Sequence, residues 1–262
     1  MRMLDLFSGI GGFTLAARHV WGDELETVQF VEQNKQCQKI LRRHFPNVQI
    51  TETIQEFIET EIPSADIVCG GDPCPVRSKA KSIWKSKSPD LSGYFLAVVG
   101  ISEPRWVLRE NVLSSDDKDF STGLEVLGYR TLIIRVNAYS HTGQNRTRDV
   151  IVGCSEKTGM RQFRELYQRN GHSGGAQEKR EKAEGYPCLT THHARYDARD
   201  GYIYDGGRSI RIADRDERTQ LAGFPAGWLD GMSKTAISRM TGNAVVPQCV
   251  IPIMEAIRDA ES

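Results

Sequence analysis

The 262-residue chain carries 34 Lys+Arg against 34 Asp+Glu, 39% hydrophobic residues and six cysteines. That length builds one large domain, or one domain with a small insertion, and its core needs no disulfide or metal staples. A formal net charge of zero excludes a uniformly basic nucleic-acid coat protein but leaves room for a local basic face.

No apolar run reaches the roughly 18 residues of a membrane-spanning helix, and the apolar, uncharged stretch 91–102 contains Ser and Gly. No membrane partner is expected. The N-terminus, MRMLDLFSGIGG, reads straight into a strand and glycine loop, so no secretory leader is expected. Cys37, Cys69, Cys74, Cys154, Cys188 and Cys249 form no CxxC pair, which points to a reducing, cytoplasmic compartment.

Residues 3–7 form an apolar run that ends in Ser8-Gly9-Ile10-Gly11-Gly12. Phe13, Ala16, Ala17, Val20 and Trp21 then recur at helical spacing and stop at Gly22. A strand is predicted over 27–31 with Glu32 at its end, followed by a helical stripe (Cys37, Ile40, Leu41, Phe45) closed by Pro46. Further strands are predicted at 65–69 and 106–108, and a late pair at 131–136 and 150–153. From 155 to 208 the rhythm breaks: one helix is predicted at 160–170, then a polar stretch rich in His, Arg and Tyr. Helices at 214–221 and 248–257 close the chain. Strands separated by helices predict an α/β fold with a doubly wound, mostly parallel sheet. Its body spans 1–154 and 209–262, and 155–208 is a small insert. Ligands in such sheets sit at the carboxyl ends of strands, where Ser8–Gly12, Glu32, Gly70–Cys74 and Glu110-Asn111 all fall.

Charge is partitioned along the chain. Residues 1–66 hold six basic and ten acidic side chains, a net of −4. Residues 77–87 hold Arg77, Lys79, Lys81, Lys85 and Lys87 and no acid, a net of +5. Residues 141–211 hold thirteen basic and nine acidic ones, a net of +4. A solvated charged loop accounts for 77–87 taken alone.

The glycine-rich turn lets backbone amides and a helix N-terminus approach a ligand, although a tight strand–helix turn uses glycine in the same way. It is neither GxGxxG nor a phosphate-cradling loop ending in GKS/T. Glu32 is placed to accept hydrogen bonds from a ribose diol; a surface glutamate would look the same. Cys69 reads as an inert core residue within its strand. Cys74 sits between Pro73 and Pro75 on a polar loop followed by Arg77, Lys79 and Lys81, conditions that favour a thiolate nucleophile. Glu110 brings a carboxylate to the neighbouring strand end, where a solvated loop acid is an equally good reading. Alternation puts Gln144, Arg146 and Arg148 on one strand face. Two arginines there suit phosphate or a base edge, or a solubilising edge strand.

Taken in order, DLFSGIGGF (5–13), GGDPCP (70–75), RENV (109–112), QNRTRDVIVG (144–153), RDERTQLAGFP (215–225) and TGNAVVP (241–247) resemble the cytosine-C5 DNA methyltransferase family. Each block is modest; six in the family's order are specific, and they span nearly the whole chain outside 155–208. The resemblance implies a class I S-adenosylmethionine-dependent, Rossmann-like methyltransferase acting on double-stranded DNA, with S-adenosylhomocysteine as product. It implies that Phe7 and the loop Ser8, Gly9, Gly11 and Gly12 hold S-adenosylmethionine, with Glu32 on the ribose. Asp5, Asp72, Pro73, Asn243 and Ala244 fall on the same pocket. Cys74 would be the nucleophile toward C6 of the target cytosine, Glu110 would meet N3 and the exocyclic amine, Arg148 the O2 side, and Arg146 would support them. Residues 155–208 would be the target-recognition region. Arg77, Lys79, Lys81, Lys85, Gln144, His192, His193 and Arg195 would face DNA. A monomer is expected, with a restriction enzyme or a later modifying enzyme as possible companions.

The chain departs from the family in three places. Pro75 stands where the family usually has Gln, residues 51–53 offer no Asp for the adenine amine, and the recognition region is short. Other readings are the tRNA-methylating branch, whose Cys-Phe-Thr is approached by Cys188-Leu189-Thr190, and a DNA binder without catalysis. A metal site from Cys188, His192 and His193 has poor spacing.

Overall fold

The computed structural model describes residues 1–73, 90–113, 116–170, 186–189, 202–204 and 210–262. A seven-stranded sheet has the order β3 (Gln49–Thr51), β2 (Glu26–Val31), β1 (Arg2–Leu6), β4 (Ile67–Gly70), β5 (Trp106–Asn111), β8 (Thr147–Cys154), β6 (Arg130–Asn137). The first five pair in parallel, and β8 runs antiparallel between β5 and β6. The doubly wound, mostly parallel sheet expected from the alternation is present. Strand order reverses between β1 and β4, so their carboxyl ends open the crevice that α/β sheets use for ligands.

Alternation within the strands sorts side chains to two helical layers. Met3, Cys69, Trp106, Leu108, Val150 and Val152 face α1 (Gly12–Trp21), α7 (Lys157–Arg169) and α10 (Pro247–Glu261). Leu4, Leu6, Val68, Val107 and Ile151 face α3 (Ile54–Ile58), α4 (Ser92–Ser102) and α5 (Asp116–Val126). A third cluster joins α2 (Lys35–His44) to residues 222–244, with Phe45 against Trp228 and Met240. It contains α9 (Lys234–Asn243), which follows α8 (Arg215–Leu221).

Three differences from the sequence reading have physical causes. Phe7 belongs to the turn rather than to the first strand, because its φ is +52°. The helices α4, α5 and α9 lacked a readable stripe. In α4 the sequence SGYFLAVVGIS is apolar on all sides, so no stripe marks the face formed by Phe95, Val98 and Val99 that it buries, while Ile101 stays exposed. Finally, α7 lies within 155–208, yet Met160, Phe163 and Tyr167 pack into the main core beside α10. The described residues beyond it form short pieces only. These are β9 (Tyr186–Pro187), paired with β7 (Gln144–Asn145), and a hairpin of β10 (Tyr202–Tyr204) with β11 (Ile210–Ile212). A four-residue helix, α6 (Tyr139–Thr142), precedes β7.

Candidate active site

The glycine loop is held from three sides. Gly9 donates its amide to Glu32 Oε2 at 2.7 Å, and Asn34 donates to Glu32 Oε1 at 2.6 Å. Trp228 donates its indole N–H to Ile10 O at 3.1 Å. A methyl group on Gly12 would lie 2.5 Å from the Val245 carbonyl oxygen, so the 241–247 segment closes against the N-terminus of α1. Gly9, at φ +55°, faces open space. Phe7 stacks on Phe95 with centroids 6.4 Å apart.

Asp5 is fully buried. Thr14 donates to its Oδ2 at 2.7 Å, while Oδ1 has no partner. Burial pushes its pKa from 3.8 up to about 7, against the lowering hydrogen bonds from Thr14. Burial likewise raises Glu32, against the amides of Asn34 and Gly9. An orphaned carboxylate oxygen, a side-chain-free Gly9 and an acid at the end of β2 fit a cofactor with an ammonium group and a ribose diol. Asn243 is exposed at the end of α9, and Ala244 is buried beside it.

Glu110, Arg146, Arg148, Val136, Val245, Val246, Cys249 and Val250 line one cavity. Arg148 Nε lies 3.2 Å from Glu110 Oε1. Burial raises the Glu110 pKa, and Arg148, Arg146 and Arg109 oppose that shift. The structure thus brings Glu110, Arg146 and Arg148 together where the carboxyl end of β5 meets the start of β8. Arg146 reaches further: it donates to Gly242 O at 3.0 Å, Ala244 O at 2.8 Å and Leu189 O at 3.5 Å. It links Leu189 to the end of α9.

Gln144 was expected toward DNA, but the structure places it inside. It is fully buried, donating from Nε2 to Leu221 O at 2.7 Å and accepting at Oε1 from Leu189 N at 3.1 Å. Asp72 was expected on the cofactor. Its carboxylate instead meets the Arg109 guanidinium, Nε to Oδ1 at 2.5 Å and Nη2 to Oδ2 at 3.0 Å. Cys69 is buried with its thiol pKa well raised by burial, as an inert core residue should be. Pro73 is the last described residue of its turn. Cys74, Pro75, Arg77, Lys79, Lys81, Lys85, Lys87, His192, His193 and Arg195 lie outside the described residues.

Sequence reasoning passed over Arg109, Trp228 and Val245. Arg109 had a readable mark: a guanidinium inside the otherwise apolar run WVLREN needs a buried partner.

A glycine loop after β1, an acid after β2 and a nearly parallel sheet with one reversed strand define the class I S-adenosylmethionine-dependent methyltransferase fold. The family model for C-5 cytosine-specific DNA methylase matches residues 1–187, and the chain belongs to that family. A type II methyltransferase of Herpetosiphon aurantiacus, M.HgiBI, is 29% identical over 173 residues, covering 62% of this chain and 39% of that protein. M.SsoII of Shigella sonnei is 27% identical over 310 residues, covering 98% of this chain and 79% of that protein. The chain thus spans about two fifths of M.HgiBI. Among solved structures, the Dnmt2 methyltransferase of S. pombe superposes with a TM-score of 0.69 at 15% identity, covering 99% of this chain and 98% of that one. A Spodoptera frugiperda DNMT2 mutant gives 0.72 at 14% identity, covering 98% and 99%. No helix among the described residues is long and apolar enough to cross a membrane.

Proposed function

We propose that the chain methylates C5 of a cytosine turned out of duplex DNA. The observation that carries this reading is the cavity in which Glu110, Arg146 and Arg148 converge beside Val245, at the strand end next to the turn that leads to Cys74. Type II methyltransferase relatives support the substrate class.

S-adenosylmethionine, when bound, supplies an electrophilic sulfonium methyl group and leaves as S-adenosylhomocysteine. Asp5, Phe7, Gly9, Gly12, Glu32, Asn243 and Ala244 would hold it. Cys74 as thiolate adds to C6 of the cytosine, and the electron pair of the C5–C6 bond becomes available at C5 for the methyl carbon. Glu110, whose pKa burial raises, donates a proton at N3 in the same step. Arg148 holds the O2 side. Once C5 is methylated, loss of its proton to a base expels the thiolate, and return of the N3 proton to Glu110 restores the neutral ring. A base inside the stack cannot reach Cys74, so it must flip first. The segment after α7 would then read the surrounding sequence, and the 77–87 stretch would meet phosphates. Bisulfite sequencing of plasmid DNA recovered from expressing cells reads out which bases are recognised.

Cys74→Ser should keep S-adenosylhomocysteine binding and abolish methyl transfer, and duplex DNA containing 5-fluorocytosine should trap a covalent adduct with the unaltered chain. Transfer surviving in Cys74→Ser sinks the assigned nucleophile. An RNA substrate is the second reading, favoured by Cys188-Leu189 beside Arg146. Tritiated cofactor that labels tRNA and leaves duplex DNA unlabelled selects it; a pure DNA binder labels neither.

A further inference from the structure

We propose that Arg109, Asp72 and Asp117 form a buried clamp that fixes the Cys74-bearing turn against Glu110, making all three positioning residues for the methyl transfer proposed above. The proposal rests on that reading. In β5 the side chains alternate: Leu108 enters the α1–α10 layer and Glu110 the reaction cavity, while Arg109 points to the opposite layer, with its Cζ 4.5 Å from the Phe120 ring centre. There it is 1% exposed and grips Asp72 through two parallel hydrogen bonds, 2.5 and 3.0 Å long. Its Nη1 lies 3.2 Å from Asp117 Oδ1 on α5.

A bidentate pair fixes distance and angle together, which a single contact does not. It joins the peptide before Glu110 to the residue two positions before Cys74. Two closer ties reinforce it. Asn111 Nδ2 donates to Asp72 O at 3.5 Å. A methyl group on Gly71 would sit 3.3 Å from Glu110 O and 3.5 Å from Glu110 Oε2, so the turn already lies against the acid. Burying one cation with two carboxylates is a poor device for stability, since desolvation offsets the attraction. What the arrangement supplies is geometry, between the two groups that must reach C6 and N3 of one ring.

The test compares Asp72→Asn and Arg109→Lys with the unaltered chain. Single-turnover methyl transfer to unmethylated plasmid DNA is measured beside S-adenosylhomocysteine affinity and thermal melting. Arg109→Lys keeps the charge and loses the fork; Asp72→Asn keeps the shape and decides the matter if the lysine variant does not fold. The clamp predicts a fall of about 10- to 100-fold in rate, the scale of an ångström-sized misplacement, at unchanged cofactor affinity. A rate that stays at the unaltered level overturns it, whatever the melting temperature does. Weakened cofactor affinity at an unchanged rate also overturns it and returns Asp72 to the cofactor pocket. An unaltered chain that labels no DNA overturns the function reading and the clamp with it, an outcome visible in that arm alone.

Discussion

Asp5 is a carboxyl group whose chemistry departs far from its free form. The chain positions a carboxylate where water is excluded and gives one of its oxygens a Thr14 hydroxyl and the other nothing. Its folded pKa of about 7 lies above the ordinary 3.8. The folded protein therefore binds a proton that the unfolded chain has lost between those values. The contribution of Asp5 to stability is most favourable at and below pH 4, declines as pH rises toward 7, and levels off above it, a change on the order of 4 kcal/mol for a shift of this size. Asp5→Asn should flatten the decline in melting temperature between pH 5 and pH 8 in the cofactor-free protein. A decline as steep as in the unaltered chain would remove Asp5 as its source. Glu32 shows how one residue type serves two ends. Its oxygens bind the Gly9 and Asn34 amides, so the acid shapes the loop it would use to recognise a ribose.

At the scale of elements, the decisive contact joins the N-terminus of α1 to the segment after α9. They meet backbone to side-chain-free backbone, since Gly12 leaves no room for a methyl group beside Val245 O. A carbonyl cannot swing aside as the end of a long side chain can. Gly12→Ala should cost about 1–3 kcal/mol and weaken S-adenosylhomocysteine binding, both read in a thermal melt with and without ligand. A variant that melts and binds normally would show that the closing segment moves freely. Elements with one apolar stripe or a short apolar run were legible: α1, α2, α10 and the strands β1, β2, β4 and β5. The helix α5 was not. Gly123 there would place a methyl group 2.5 Å from Leu96 Cδ1, so its packing on α4 replaces the pattern that propensity would have shown.

Over the whole molecule, the chain ends converge. Trp228 bonds Ile10, Arg258 Nη1 donates to Val20 O at 3.3 Å, and α10 packs along α1. Arg146 and Gln144 tie Leu189 to this junction. Segments distant along the chain thus share one physically continuous frame. Charge is divided too: a net of −4 over 1–66 stands against +5 over 77–87 and +4 over 141–211 within a chain that is neutral as a whole. Neutralising Lys79, Lys81 and Lys85 together should weaken DNA binding and reduce the slope of log affinity against log salt by up to about 3, one unit per lost phosphate contact. An unchanged slope in a salt titration would place those lysines away from the DNA.

By itself the sequence determined the sheet, because alternation and helical spacing are local and water reads them residue by residue. It determined the family too, since glycine loop, Pro-Cys-Pro turn and Arg-Glu-Asn each need particular residue types at fixed spacing. Only tertiary structure decided which polar groups face outward and which hold the frame. Gln144 and Asp72 looked like ligand chemistry, and Arg109 carried no reading at all. Their partners stand 77, 37 and 37 positions away along the chain. A buried charge or amide is satisfied by whatever the fold brings beside it, and that neighbour is set by global packing that no local pattern records.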